Sequence, residues 1–139
     1  MSDSRSTARF PHLSILASAG AGKTYQLTSR YLALLASGAG PGTILASTFT
    51  RLAAGEIRDR VLLRLAQAAD DDDQRRALAA DIKTARLGQD DVRALLRALT
   101  RNLHRLQMRT LDSFFASVVR SFAIELGLPR DCRWCAFPI

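Results

Sequence analysis

The chain has 139 residues, enough for about one domain, since single domains usually contain roughly 100 to 200 residues. Hydrophobic residues make up 47% and charged residues 24%, a composition that excludes a wholly disordered chain. The net charge of +7 comes almost entirely from arginine, so polyanions are the natural partners. The sequence has no run of about 18 apolar residues and no secretory signal. We therefore expect a soluble, intracellular protein that does not enter a membrane.

The first half of the sequence predicts strand, helix, strand and helix. Residues 1–11 are polar and predict a flexible tail. Residues 12–18 form a short apolar run that leads into a glycine cluster, which is typical of a buried parallel strand. A helix follows from Gly22, with an apolar stripe of Leu27, Tyr31, Leu34 and Leu35. Residues 43–50 predict a second strand, a parallel neighbour of the first.

The remaining segments predict mainly helices. Residues 51–69 repeat Ala53, Ile57, Val61 and Leu65 along one helix face. The acidic run at 70–73 predicts a solvated loop that also caps the next helix, over residues 74–86. Asp90 and Asp91 open a leucine-striped helix that continues to Leu106, and a short extended piece follows at 107–111. Residues 112–126 predict a last helix, with Phe114, Val118, Phe122 and Leu126 on one side and its end at Gly127.

The first glycine cluster has the pattern of a phosphate-binding loop. Its residues are Ala17, Ser18, Ala19, Gly20, Ala21, Gly22, Lys23 and Thr24. Small residues let backbone N–H groups surround a phosphate at a helix N-terminus. Lys23 would bridge the β- and γ-phosphates of a nucleotide as the catalytic cation, and Thr24 would ligate Mg²⁺. The sequence therefore predicts an α/β P-loop NTPase (RecA-like) fold, although this loop does not distinguish a kinase, GTPase, transporter ATPase or helicase.

Two further segments narrow this choice. The residues from Thr48 to Arg60, Thr-Phe-Thr-Arg-Leu-Ala-Ala-Gly-Glu-Ile-Arg-Asp-Arg, resemble motif Ia of the UvrD/Rep-type helicases of superfamily 1. The segment Arg-Thr-Leu-Asp-Ser-Phe-Phe, which begins at Arg109, resembles the Thr-x-His-Ser-Phe segment of that family, with Asp112 in place of His. That aspartate and the sequence from Ser121 to Pro129 are similar to the AddA/RecB-like branch of helicase-nucleases.

The resemblance implies the N-terminal part of an ATP-binding helicase domain at residues 12–130, with a parallel sheet that is incomplete and a helical insertion at about 70–106. It implies ATP and Mg²⁺ as cofactors, single- or double-stranded DNA as a partner, and a second helicase-nuclease subunit. It also implies 3′ to 5′ translocation in double-strand break repair and a place in the bacterial cytosol with the nucleoid. The residues assigned to the DNA backbone are Thr48, Thr50, Arg51, Thr110 and Ser113.

Several residues allow two interpretations. Phe49 either stacks on a base or lies in the core, and its position in a predicted strand favours the core. The arginines at 51, 58, 60 and 64 form either a basic patch or a solvated helix face, and the lack of interleaved aromatic residues favours the latter. Glu56 and Arg60 have the spacing of a helix ion pair. Cys132 and Cys135 lack the second pair that a zinc site needs, and His12 and His104 are isolated, so no metal or redox site is predicted there.

The sequence also departs from the family pattern. No Gln precedes Gln26 to recognise adenine, and no Asp-Glu pair follows an apolar strand to activate water. Residues 131–139 predict a divergent tail that fits truncation or a shifted frame. We therefore expect poor solubility and little ATP turnover by this chain alone. Two alternatives remain: an inactive nucleotide- or single-stranded-DNA-binding fragment, and an unrelated phosphate-loop kinase, which the segment from Thr48 to Arg60 disfavours.

Overall fold

The computed structural model describes residues 11–16, 22–84 and 87–127 of the chain. Within these ranges the chain forms five α-helices, two β-strands and two short 3₁₀ turns. In chain order they are α1 (Lys23–Ala36), a 3₁₀ turn (Pro41–Thr43), β1 (Leu45–Thr48), α2 (Arg51–Asp70), α3 (Asp72–Asp81), α4 (Gln89–Arg101), a second 3₁₀ turn (Leu103–Arg105), β2 (Gln107–Thr110) and α5 (Leu111–Ser121). The predicted mixed α/β character is confirmed. None of the helices in these ranges combines the length and hydropathy needed to cross a bilayer.

The two strands pair in parallel. Leu45 lies opposite Gln107, and Thr48 lies opposite Thr110, so both strands end at the same edge of the sheet. Parallel strands need a long crossover connection, and here α2, α3 and α4 supply it. The sequence predicted only an extended segment at 107–111. In the described structure this segment contains β2, the strand that pairs with β1.

The strand predicted at residues 12–18 is wrong for its described part. Residues 11–16 form no strand, and Leu13 and Leu16 are 63% and 97% exposed. Ala17 and Ser18 lie outside the described residues. Within the described residues the sheet contains only β1 and β2, so the predicted pairing of β1 with this segment is not found for residues 12–16. An apolar run has the composition of a buried strand, but tertiary contacts decide which strand supplies its hydrogen bonds.

The core surrounds α2, which contacts α1, α3, α4 and both strands. Val61 and Leu65, members of the predicted four-residue stripe, are fully buried. Leu32 from α1 and Leu99 from α4 are buried in the same cluster. These side chains bury apolar surface that would otherwise contact water, so α2 is the element on which the others assemble.

The acidic run both ends α2 and begins α3. Asp71 is the N-cap of α3, and its side chain accepts a hydrogen bond from the Asp73 N–H at 2.8 Å. The predicted capping role is confirmed, while the predicted loop is reduced to a single residue between two helices. Carboxylates at this position complement the positive end of the α3 dipole.

Four helices differ from their predicted faces or ends. Helix α3 begins at Asp72 and ends at Asp81, whereas the sequence predicted a helix over residues 74–86. In α1, the predicted stripe residues Tyr31 and Leu35 are buried, but Leu27 is 38% exposed, and Thr28 and Leu32 complete the buried face. Helix α4 ends at Arg101, where the Asn102 side chain donates to the Ala98 carbonyl at 2.8 Å, so the predicted stripe residues Leu103 and Leu106 lie beyond it. Helix α5 ends at Ser121, which leaves Phe122 and Leu126 outside it and exposed. In α4 and α5 the apolar periodicity of the sequence therefore continues beyond the residue at which the helix ends.

Candidate functional site

The N-terminus of α1 has the features of an anion site. Gly22 precedes it in the left-handed conformation (φ 77°, ψ 17°), which favours glycine, and supplies no side-chain cap. The first turn contains Lys23 and Thr24 but no acidic residue, whereas α3, α4 and α5 each carry Asp in the first turn. A helix start without a side-chain cap, together with the helix dipole, favours a bound anion. Residues 17–21 of the predicted phosphate loop lie outside the described residues.

A cavity of about 730 Å³ adjoins this helix start. Its lining includes Lys23 and Thr24 from α1, Thr48 at the end of β1, and Phe49 in the turn that follows β1. Ligand cavities in proteins usually measure about 300 to 1,000 Å³, so the space is of a size suited to a nucleotide. The structure therefore brings the start of α1 and the end of β1 to one cavity. Thr50, Arg51, Thr110 and Ser113 do not line it.

Other charged side chains reach the same cavity. Arg30 and Glu56 line it, as does His12, to which the sequence assigned no chemistry. Arg30 also donates a hydrogen bond to the Pro11 carbonyl at 2.6 Å, which ties the segment that contains His12 to α1. No local sequence signal identified His12 as a site residue, because its position depends on this contact between separate segments.

The shared strand edge carries the remaining predicted hydroxyls. Thr50 is the N-cap of α2 and accepts a hydrogen bond from the Ala53 N–H at 3.1 Å. Thr110 is the N-cap of α5 and accepts from the Ser113 N–H at 3.2 Å. Because Thr48 and Thr110 are opposite each other in the ladder, both helices begin just beyond adjacent strand ends. The edge thus presents two helix N-termini side by side.

Hydrogen bonds divide the four hydroxyls into two pairs. The Thr48 hydroxyl donates to the Thr50 carbonyl at 2.8 Å, and the Ser113 hydroxyl donates to the Thr110 carbonyl at 2.9 Å. The Thr50 and Thr110 hydroxyls instead accept from backbone N–H groups, and a hydroxyl that accepts still has its own proton to donate. Thr50 and Thr110 can therefore donate to an external oxygen without losing their caps.

The sequence favoured a core position for Phe49, but the structure places this residue outside the core. It is 87% exposed, because β1 ends at Thr48 and Phe49 belongs to the turn that leads into α2. Outside the strand, the alternation that would turn its ring toward the core no longer applies. Arg51, the next residue but one, is the first residue of α2 and is exposed.

The arginines of α2 have separate environments. Arg58 pairs with Asp59 at 3.1 Å, and Arg60 pairs with Glu56 at 3.9 Å, which is the predicted ion pair. Arg64 fits neither the predicted basic patch nor a solvated face: its side chain is 16% exposed and pairs with Asp81 of α3 at 2.5 Å. Its partner lies 17 residues away in sequence, so no local pattern identified the pair.

Tyr25, in the first turn of α1, joins the same cluster. Its hydroxyl donates to Asp81, and the Arg64 guanidinium carbon lies 4.4 Å from the centre of its ring. The hydrogen bond to Asp81 raises the pKa of Tyr25 above its ordinary value of 10.0, partial burial adds to the rise, and the positive charge of Arg64 opposes it. The sequence did not single out Tyr25.

Comparison with known proteins identifies a family for the chain. Residues 5–137 match the model of the UvrD/REP helicase N-terminal domain, a range that includes part of the predicted tails 1–11 and 131–139. The chain is 30% identical over 122 residues to an ATP-dependent helicase/nuclease subunit of Streptococcus thermophilus, covering 86% of this chain and 8% of that protein. It is 32% identical over 127 residues to the helicase/nuclease subunit of the same name from Heliobacterium modesticaldum, covering 91% of this chain and 8% of that protein.

A shorter match has higher identity. Over 51 residues the chain is 55% identical to the ATP-dependent DNA helicase UvrD1 of Mycobacterium tuberculosis, which covers 36% of this chain and 7% of that protein. The chain thus spans less than a tenth of the length of these relatives. No solved structure matches it significantly. Because the family model matches nearly the whole sequence, the chain belongs to the UvrD/REP helicase N-terminal domain family.

Proposed function

We propose that the chain is the N-terminal part of the ATP-binding motor domain, of the P-loop (RecA-like) class, of an AddA-like, UvrD-type DNA helicase. The cavity that brings Lys23 and Thr24 beside Thr48 carries this proposal, because it joins a phosphate-binding helix start to a strand end suited to DNA. In the complete helicase, ATP binding and hydrolysis would move single-stranded DNA in the 3′ to 5′ direction during double-strand break repair. The proposed partner is a second helicase-nuclease subunit, and the proposed location is the bacterial nucleoid. The names of the relatives support ATP use and a DNA partner.

The residues at the start of α1 fit a nucleoside triphosphate. Lys23 places a positive charge at the positive end of the helix dipole, and a bound anion would stabilise this arrangement. Lys23 would neutralise charge on the β- and γ-phosphates, and the Thr24 hydroxyl would hold Mg²⁺, which supplies further charge neutralisation. Gly22 allows the backbone to turn its N–H groups toward the phosphates.

The strand edge fits a DNA backbone. Hydroxyls and main-chain N–H groups bind phosphates without reading bases, as a motor that moves along any sequence requires. The available donors are the hydroxyls of Thr50 and Thr110, while Thr48 and Ser113 would have to release a carbonyl before donating. Arg51 adds a positive charge at the start of α2, and the exposed ring of Phe49 offers a face for base stacking.

The second candidate function is nucleotide binding without efficient hydrolysis. Hydrolysis needs an oriented water and charge compensation at the γ-phosphate. The sequence contains no Asp-Glu pair that could orient the water. The chain alone should therefore bind ATP and turn it over poorly. Membership of the helicase family argues against the unrelated kinase.

Binding of mant-labelled ATP with Mg²⁺ tests the nucleotide site. Lys23→Ala removes one charge from the cavity and should weaken binding at least tenfold, since a hydrogen bond to a charged group contributes about 1.5 to 3 kcal/mol. Lys83→Asn is the matched control: it removes the same charge from a residue with φ 55°, a left-handed conformation that asparagine tolerates. Equal affinities for the wild-type chain and Lys23→Ala would refute the nucleotide site.

Fluorescence anisotropy with a labelled oligo(dT) tests the DNA edge. Arg51→Ala should weaken binding and lower the salt dependence by about 0.7 in log–log slope, the value for one phosphate contact on single-stranded DNA. Arg93→Ala, on the exposed surface of α4, is the control and should leave binding within about twofold, because a charge remote from the bound strand is screened. Equal losses of affinity in the two variants would mean that DNA binding depends on the net charge of the chain and not on the strand edge.

A further inference from the structure

Arg64 joins three helices through one partly buried guanidinium group. It extends from α2 and donates to the Thr28 hydroxyl at 3.1 Å and the Ser29 hydroxyl at 2.9 Å, both on α1. Its other terminal nitrogen pairs with Asp81 of α3 at 2.5 Å. The rigid, five-donor fork of arginine makes this arrangement possible, and lysine has no equivalent geometry.

The contacts on α1 lie within two turns of the proposed phosphate site. Tyr25, whose ring lies against Arg64, directly follows Thr24. The Thr28 hydroxyl in turn donates to the Tyr25 carbonyl at 2.8 Å, so two of the three α1 residues that Arg64 contacts are also bonded to each other. At 1.5 Å per residue, this cluster begins only about 3 Å along the axis from Lys23. Arg64 therefore restrains the part of α1 that would hold phosphate.

The same residue fixes α2, which begins at the DNA edge. Arg64 lies 14 residues after Thr50, about 20 Å along a continuous helix. A rigid helix held at this distance defines the direction of its own N-terminus relative to α1. The start of α1 and residues in the first two turns of α2 line the same cavity, so the angle between the helices sets the geometry of that cavity.

We propose that Arg64 is a positioning residue that orients the first two turns of α1 against α2 and thereby sets the affinity of the chain for ATP. This role rests on the proposed nucleotide site. Arg64 does not line the cavity and contacts no phosphate; it acts through Tyr25, Thr28 and Ser29. Displacement of binding groups by about 1 Å is enough to weaken an oriented interaction strongly.

A second arginine provides a matched control. Arg75 of α3 is partly buried to the same extent, with a side chain that is 15% exposed, and it also pairs with an aspartate, Asp72. It donates to the Ala68 carbonyl of α2 at 3.2 Å, so its contacts lie on α2 and α3 within the described residues. Arg75→Met should therefore reproduce the loss of a partly buried arginine between α2 and α3 without releasing α1.

The experiment measures mant-ATP affinity, thermal stability and amide hydrogen exchange in α1 for four variants of the full chain. They are Arg64→Met, Arg64→Lys, Arg75→Met and the double variant Thr28→Val/Ser29→Ala. The double variant removes the two α1 acceptors with little change in volume and leaves the Arg64–Asp81 pair, so it keeps the test valid if Arg64→Met does not fold.

We expect Arg64→Met and the double variant to bind ATP roughly two- to thirtyfold more weakly, the range in which substitutions between coupled sites act. Both should speed exchange in the first two turns of α1. Arg64→Lys should recover part of the affinity, and Arg75→Met should lose stability while it binds ATP as the wild type does.

Unchanged affinity in the folded Arg64 and double variants, with Lys23→Ala still defective, would overturn the positioning role alone. The positioning role is also overturned if Arg75→Met weakens binding as much as Arg64→Met does. Failure of the wild-type chain to bind ATP would instead overturn the nucleotide site and, with it, any effect of Arg64 on affinity; the exchange data would still show separately whether Arg64 orders α1.

Discussion

Thr50 combines two roles that one substitution can separate. Its hydroxyl caps α2 by accepting from the Ala53 N–H at 3.1 Å, and it is also proposed to donate to a DNA phosphate. Aspartate is as good an N-cap as threonine or better, and its charge complements the helix dipole. Thr50→Asp should therefore leave the free energy of unfolding unchanged within about 0.5 kcal/mol or raise it slightly, while it places a negative charge where phosphate would bind.

The effect on DNA binding follows from Coulomb's law. Two like charges 4 Å apart repel by about 1 kcal/mol in water and by about 4 kcal/mol near a protein surface of lower dielectric constant. Thr50 is exposed, so the lower part of this range applies, and we expect oligo(dT) binding to weaken about fivefold to fiftyfold. The loss should shrink at high salt, because screening weakens the repulsion between exposed charges.

Anisotropy titrations at several salt concentrations, together with urea unfolding, measure both quantities. Thr50→Asn keeps a capping side chain without charge and should retain most of the affinity, whereas Thr50→Ala should lose about 1 kcal/mol of stability with the cap. Ala94→Glu, on the exposed surface of α4, controls for the change in net charge. If Thr50→Asp binds DNA as tightly as the wild type at low salt, the N-terminus of α2 does not contact the DNA backbone.

Three further predictions concern the stability of the fold. Leu65→Ala removes a fully buried side chain of α2 and should cost about 2 to 5 kcal/mol in urea unfolding; a cost below about 1 kcal/mol would contradict the central position of α2. Asp71→Ala removes the α3 cap and should cost about 1 kcal/mol by the same assay, and an unchanged midpoint would mean that the cap contributes nothing. The contacts that raise the pKa of Tyr25 stabilise the fold fully at pH values below the ordinary tyrosine pKa of 10.0. This contribution is lost as the pH rises through the pKa of Tyr25 in the folded chain, so Tyr25→Phe should flatten the alkaline fall in the free energy of unfolding. Burial of Tyr31 also raises its pKa, so part of the fall should remain in that variant, and a fall identical to that of the wild type would refute the Tyr25 contribution.

The helices were predictable because their signals are local. The four-residue stripe of α2 and the acidic cap of α3 act within one or two turns, so the sequence alone located both elements. The glycine that precedes α1 and the threonines that precede α2 and α5 mark helix starts by the same short-range chemistry. These are also the positions on which the candidate site is built.

Sheet pairing and side-chain exposure required the tertiary structure. The apolar run at 12–18 has the composition of a strand, yet β1 pairs with a segment about 60 residues further along the chain. The exposure of Phe49 depends on the residue at which β1 ends, and the burial of Arg64 depends on a carboxylate of α3. A pattern within one segment contains no information about such distant partners.

The family and the helix starts follow from the sequence alone, because the motifs and caps that mark them are made of residues close together in the chain, and the same sequence predicts phosphate binding at residues 17–24. Tertiary packing, by contrast, was needed to show that Lys23 and Thr48 share a cavity and that Arg64 joins α1 to α2 and α3. These outcomes depend on which elements pack together, and packing is decided by buried area and hydrogen-bond partners drawn from the whole chain.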